Sequence, residues 1–390
     1  MINFDEALHI VLGSAFETGT EIIPFTGSTG RVLAEDIFSD MDMPPFNRAA
    51  VDGYACRRQD IENEMVIVGL IAAGREPIQV GVRQCAKIMT GAIVPDGCDI
   101  VFMVEDAEEL PEGRVRFRGN SLKTNISYQG EDVMTGELII GKGKIIKPQD
   151  IAILASTGHI DVQVKKMPET AIISTGDELV EPSQKPLRSQ IRNSNSWQLL
   201  SQVERAGGNP HYYGIAPDTG DSAFDIISKA IGSNDIVILT GGVSMGDFDF
   251  VPSFLKRAGV EIMFDRVNVQ PGKPTTFGVH PKCLVFGLPG NPVSSFIQFE
   301  TLVRPLIQRM MASEWRSASL RLPMGVRYER NSATRMGWIP VNIDANGEAI
   351  PVDYHGSAHI AALSYSDGIF SMMPGVRSVE KGETVSVRYI

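Results

Sequence analysis

Asp235-Ile-Val-Ile-Leu-Thr-Gly-Gly-Val-Ser-Met-Gly-Asp-Phe-Asp249 carries an apolar run, Ile236 to Leu239, straight into a polar, glycine-rich loop. A continuous and mostly β-branched run predicts a parallel strand covered on both faces, and with it an α/β domain. Gly241, Gly242 and Gly246 follow within a few residues. Glycine allows positive φ and close approach of backbone to a ligand, and successive N–H groups in such a loop can form a nest for an anion. Asp247 and Asp249 place carboxylates beside that nest, which calls for a bridging cation, most simply Mg²⁺. A lone Gly-Gly loop reads equally well as a tight strand-to-helix turn capped by an Asp.

A second loop of the same kind shifts that balance. Phe286-Gly-Leu-Pro-Gly-Asn-Pro292 follows the apolar run Cys283 to Phe286 and precedes a helical stretch over 293–311. Pro292 suits a first helical turn, so the loop should deliver free amide donors at a helix N-terminus. Between the loops, Gln270-Pro-Gly-Lys-Pro274 offers one cation, Lys273, on a stiffened turn. Ligands of open parallel sheets bind outside the carboxyl ends of the strands, and all three segments read as such ends. Upstream, Ala171 to Ser174 reads as a strand running into Thr175-Gly-Asp-Glu-Leu179. Tyr212 to Ile215 reads as another, ending near Asp218, with helices expected over 193–206, 221–231 and 250–258. Glu178, Asp218, Asp247 and Asp249 are thus expected at one edge of one sheet, where they repel unless cations or donors separate them. These loops describe a metal-assisted site for a phosphorylated or otherwise oxyanionic ligand.

A chain of 390 residues has room for two to four domains. Its formal charge of −11, with no offsetting basic run, argues against nucleic acid as a partner, so an anionic ligand must be held by local donors. Cys56, Cys85, Cys98 and Cys283 show no paired spacing and read as reduced thiols of a cytoplasmic protein. No apolar run reaches the length of a membrane span, and the N-terminal stretch reads as an amphipathic packing helix with Phe4, Leu8 and Val11 on one face. The proline-rich turn at Met43-Pro-Pro-Phe-Asn47 marks a boundary. Beyond it, 66–106 alternates short strands with glycine turns, and 149–157 predicts a short helix ended by Gly158. From about residue 313 short alternating strands predict a small β-barrel or sandwich. His355 and His359 have the spacing of helical metal ligands, but their glycine- and serine-containing surroundings argue against a zinc site.

Six motifs occur in one order. They are Pro44-Pro-Phe-Asn-Arg-Ala-Ala-Val-Asp-Gly-Tyr-Ala55, Ile88-Met-Thr-Gly-Ala-Ile-Val-Pro95, Ser174-Thr-Gly-Asp-Glu-Leu179, Thr240-Gly-Gly-Val-Ser-Met-Gly-Asp-Phe-Asp249, Pro271-Gly-Lys-Pro274 and Leu288-Pro-Gly-Asn-Pro292. Together they resemble the molybdopterin molybdenumtransferase family, which includes MoeA and the E domain of gephyrin, over essentially the whole chain. The resemblance implies an α/β multidomain protein. Its parts are a split connecting domain (1–43 and 139–168), an inserted β-rich domain (44–138), an α/β molybdopterin-binding domain similar to the molybdopterin adenylyltransferases (169–312) and a C-terminal β domain (313–390). It implies an elongated protomer and a cytoplasmic homodimer whose active site is shared between subunits. The implied reaction inserts molybdate into adenylylated molybdopterin with Mg²⁺, releasing AMP and molybdenum cofactor, and the adenylyltransferase is the implied source of the substrate.

By motif match the resemblance gives Glu178 and Asp249 the metal-assisted chemistry, has Asp52 and Thr90 act from the inserted domain, and adds the acidic positions Asp132 and Asp218. Ser244, Lys273, Ser357 and Arg335 resemble the molybdate-contacting positions. Gly241, Gly242, Pro289, Gly290, Asn291 and Pro292 would shape the pterin-phosphate pocket. The chain departs from the family pattern at Gln270, where many members carry Lys, at Arg48-Ala-Ala-Val51, and around His355-Gly-Ser-Ala358. Two other readings are a tungstate-inserting paralogue and a non-catalytic carrier or scaffold for molybdopterin. Retention of every expected acidic residue speaks against the scaffold.

Overall fold

The computed structural model describes residues 1–218, 221–242, 251–354 and 356–390. Ser244, Asp247, Asp249 and His355 lie outside these described residues. The chain divides into two compact units, one of Met1–Ala34, Gly143–Lys147 and Asp161–Ile390, the other of Glu35–Lys142 and Pro148–Ile160.

In the larger unit, the expected strand forms over Ile236–Thr240 and every one of its residues is buried. It lies at the centre of a six-stranded sheet, between Glu169–Thr175 and Cys283–Leu288, and is parallel to both. Asn209–Ala216 extends the parallel part beyond Glu169–Thr175. Thr276–His280 and then Glu261–Phe264 finish the other side, each paired antiparallel to the strand before it. Helices Asn195–Arg205, Asp221–Ser233 and Val251–Arg257 form where alternating strand and helix patterns require them.

Two apolar clusters cover the two faces of this sheet, which is why its central strands read as unbroken apolar runs rather than alternating ones. Ile236, Ile238, Leu284, Phe286 and Phe277 pack with the N-terminal helix Phe4–Gly13 and the long helix after Pro292. Val237, Leu239, Val285 and Cys283 pack with Ile227, Ala230, Val251 and Leu255 on the other side. The long helix runs from Pro292–Gln298 through a π-helical turn at Phe299–Val303 into Arg304–Met310. Glu300 is buried in that turn. Its carboxylate accepts from Gln202 at 2.7 Å, Arg205 at 2.5 Å and Arg304 at 2.8 Å, which satisfies a charge that would otherwise be costly to bury.

The C-terminal part of this unit is a second six-stranded sheet, built on Met336–Ile343 and Gly368–Met372 with Thr384–Tyr389 and Ser319–Pro323 beyond them. Val269–Gln270 joins it, parallel to Met336–Gly337, so a segment from the middle of the α/β domain is tied into the terminal sheet. The smaller unit holds a third six-stranded sheet in the order Ile100–Met103, Gly53–Cys56, Gln84–Ile88, Met65–Ile71, Arg114–Phe117, Ala107–Leu110. Its helix forms at Pro148–Ser156.

Burial pushes the thiols of Cys85 and Cys283 up to about 12, so neither ionises near neutrality. Among the described residues no helix is long and apolar enough to cross a membrane.

Phe286 is fully buried, its ring centroid 4.9 Å from that of Phe277. Phe286→Ala is expected to lower the unfolding free energy by about 3–5 kcal/mol. Denaturant titration checks this, and a loss under about 1 kcal/mol would place Phe286 outside the core.

Candidate functional site

In the larger unit, the carboxyl ends of the three central parallel strands meet. Gly241 follows Thr240 at φ +96°, and a Cβ there would lie 2.3 Å from the Thr175 carbonyl oxygen. Only glycine fits. Gly242, at φ +58°, faces the Thr175 hydroxyl, which would lie 2.7 Å from an added Cβ. Gly290 comes close to the same turn from the third strand, with the Gly241 Cα 3.5 Å from its ideal Cβ position. The expected positive φ thus occurs at Gly241 and Gly242, whose backbone packs against Thr175.

One side chain holds these loops together. The Asn195 amide donates to Thr240 Oγ1 at 2.9 Å and to the Gly290 carbonyl at 2.8 Å, and Thr240 Oγ1 donates on to the Pro289 carbonyl at 3.3 Å. Beneath, Ser174 Oγ donates to Asn193 Oδ1 at 2.9 Å, and Asn193 donates to the Tyr212 hydroxyl at 2.9 Å. Sequence reasoning passed over Asn195, because an asparagine near a helix start reads as a local cap and nothing in the sequence shows it reaching two distant loops.

Carboxylates gather beside the turn. Asp177 and Asp218 clasp the ends of adjacent strands reciprocally: Asp177 N–H donates to Asp218 Oδ2 and Asp218 N–H to Asp177 Oδ1, both at 3.2 Å. The exposed Glu178 folds back over Gly176, where an added Cβ would lie 2.5 Å from Glu178 Oε2. Desolvation raises the Asp218 pKa above the ordinary carboxylate value. The charges of Asp177 and Glu178 push the same way, and the Asp177 N–H opposes them. Of the four carboxylates expected at this edge, Glu178 and Asp218 are placed there, whereas Asp247 and Asp249 lie outside the described residues. Among the described residues no group of three or more His, Cys, Asp or Glu side chains is set to hold a metal. An oxygen-only donor set of this kind suits a hard cation that keeps waters and substrate oxygens in its shell.

Two expectations require correction. Lys273 does not follow a strand of the parallel sheet. It precedes Thr276–His280, and because that strand is antiparallel, with Thr276 opposite Gly287, its start falls at the same edge as the parallel carboxyl ends. The turn is fixed by Gln298, whose amide donates to the Pro271 carbonyl at 3.2 Å and occupies the space a side chain on Gly272 would need. The helix after Pro292 does not present all its first amides, since Val293 N–H donates to the Ser357 carbonyl at 3.1 Å. The Asn291 amide donates to Ser357 Oγ at 2.9 Å, so Ser357 is seated against this helix start. Arg335 donates to the Val269 carbonyl at 3.1 Å, beside the Lys273 turn.

In the smaller unit, Asp52 and Thr90 are brought together by strand register. Gly53 pairs with Ile88, so the residues just outside that pair meet at the same end. Asp52 Oδ1 accepts from the Thr90 N–H at 2.7 Å and from its hydroxyl at 2.8 Å. The backbone N–H first, and then the hydroxyl, hold this carboxyl below its usual range. Gly53 opens a strand, and a Cβ there would lie 2.0 Å from the Phe102 carbonyl oxygen. Asp132 lies in an adjoining turn, its N–H bonded to the Met43 carbonyl at 2.9 Å.

The MoeA N-terminal region (domain I and II) matches residues 2–158, the probable molybdopterin binding domain matches 171–309, and the MoeA C-terminal region (domain IV) matches 323–389. A molybdopterin molybdenumtransferase of Bacillus subtilis is 34% identical, with 100% of this chain and 94% of that protein covered. The chain belongs to the MoeA family. One of Staphylococcus aureus is 31% identical over 98% of this chain and 94% of its own length. The crystal structure of the molybdopterin biosynthesis MoeA protein of Pyrococcus horikoshii OT3 superposes with a TM-score of 0.87, at 30% identity with both chains fully covered. Membership bears out the α/β multidomain fold expected for a MoeA protein and makes the chain a transferase of molybdenum cofactor biosynthesis.

Because the folded state raises the Asp218 pKa, the contribution of this group to stability is fully present below the unfolded value. It is lost as pH rises through the folded one. The melting temperature of Asp218→Asn minus that of the parent chain should therefore grow as pH rises from 3.8, the ordinary value, and level off above the raised one. Thermal melts across that window check it, and a difference independent of pH would contradict it.

Proposed function

We propose that this chain inserts molybdate into adenylylated molybdopterin, with release of AMP. The observation that carries this reading is the meeting of the Gly241–Gly242 turn with the carboxylates of Asp177, Glu178 and Asp218 at one sheet edge, in a member of this family. An edge so acidic is unsuited to a bare anion and suited to an anion accompanied by a hard cation. In this reading Glu178 and Asp249 hold Mg²⁺, which when bound neutralises charge on the phosphoanhydride as it is cleaved.

The chain's own groups position the reactants. Gly241 and Gly242 let backbone approach the pyrophosphate, and Pro289, Gly290, Asn291 and Pro292 wall the pocket. Lys273 supplies a cation toward molybdate, with Ser244, Ser357 and Arg335 as donors around it. Gln270, in place of the commoner Lys, leaves this pocket one positive charge weaker. Asp218 is tied to Asp177 and supports the acidic edge. Asp52, kept ionised by Thr90, acts with Asp132 from the 44–138 domain of the partner subunit in a homodimer. The adenylyltransferase that makes the substrate is the natural delivering partner.

The test follows AMP release from adenylylated molybdopterin with molybdate and Mg²⁺. The parent chain should turn over, while Glu178→Gln and Asp249→Asn should each reduce the rate by about a hundredfold or more with the fold intact. A mixture of Asp52→Asn and Glu178→Gln should recover part of the activity that each alone has lost. Parent-like rates in Glu178→Gln and Asp249→Asn would remove both from the chemistry, and no recovery on mixing would argue against a shared site. Tight substrate binding without turnover by the parent chain would instead favour the carrier reading.

A further inference from the structure

Thr175 is 5% exposed and, among the described residues, its hydroxyl has no hydrogen-bond partner. A buried hydroxyl without a partner is a destabilising choice where valine would fill the same space, so its retention needs another reason. The hydroxyl is aimed at the Gly241–Gly242 turn, 3.1 Å and 2.7 Å from the ideal Cβ positions of those residues. Both glycines have positive φ, at +96° and +58°, and the Gly241 N–H is fixed to the Leu288 carbonyl at 3.2 Å. The peptide joining Gly241 to Gly242 carries no side chain on either flank. No side chain of its own therefore opposes rotation about its neighbouring bonds.

We propose that Thr175 is a positioning residue that latches this peptide in its ligand-bound orientation. On binding, the peptide turns so that the Gly241 carbonyl accepts the Thr175 hydroxyl. Carbonyl and amide point in opposite directions across a planar trans peptide, so the same rotation aims the Gly242 N–H at a phosphate oxygen of the ligand. The hydroxyl, without a partner among the described residues, gains one in the complex. Its stabilisation is therefore delivered to binding and not to the fold. This inference rests on the phosphate-site reading given under Proposed function.

The test compares the parent chain with Thr175→Val, which replaces the hydroxyl by a methyl group, and Thr175→Ser, which keeps the hydroxyl. The probe is ADP with Mg²⁺, which carries an adenosine pyrophosphate like that of the proposed substrate. Thr175→Val should melt no lower than the parent chain without ligand yet bind ADP about tenfold more weakly, and Thr175→Ser should regain most of the affinity. Parent-like ADP affinity in Thr175→Val would overturn the latch alone. A Thr175→Val variant whose melting temperature falls along with its affinity would overturn it too, since the hydroxyl would then serve the free fold. A parent chain that does not bind ADP would overturn the phosphate-site reading and the latch with it.

Discussion

Two hydrogen bonds from one buried amide hold the carboxyl edge of the α/β sheet in register. The Asn195 side chain reaches Thr240 at the end of the central strand and Gly290 in the loop after its neighbour. Parallel pairing aligns the strands but does not fix the loops beyond them, because the ladder ends where the chain turns away. Asn195 extends that alignment by one layer. Gly241 can then pack on the Thr175 carbonyl without a Cβ, and Gly290 can approach Gly241. Each neutral bond contributes only about 0.5–1.5 kcal/mol net, so the effect of Asn195 lies in aligning two loops at once.

On this frame the electrostatics are opposed to one another. Asp177, Glu178 and Asp218 lie close together, and desolvation first, with the neighbouring charges adding to it, raises the proton affinity of Asp218. In the smaller unit Asp52 shows the converse, a carboxylate stabilised by two donors from one threonine. One set of acids is poised to accept positive charge, and the other is already satisfied as an anion.

The sequence was most informative where structure is local. Ile236 to Leu239 and Cys283 to Phe286 announced buried parallel strands through unbroken apolar runs, and Pro292 announced the start of a helix. The motifs gave Asp52 and Thr90 a common place in the inserted domain but not their pairing, which strand register produces. Long-range register was not accessible. Lys273 reads as the sequel to a parallel strand because periodicity does not encode strand direction, and the pairing of Val269–Gln270 with Met336–Gly337 spans more than sixty residues. The contacts of Asn195, Gln298 and Thr175 escaped for a related reason. A buried polar side chain is recognised by its partner, or by the lack of one, and both are properties of the folded chain.

The most direct measurement is molybdate-dependent AMP release by Asn195→Ala beside the parent chain, with far-ultraviolet circular dichroism to confirm that the fold is retained. If the alignment of the strand-end loops sets the geometry of the reaction, the expected result is native secondary structure with turnover reduced about tenfold or more. Parent-like turnover in a folded Asn195→Ala variant would contradict it, because the loops would then be positioned by something other than this amide.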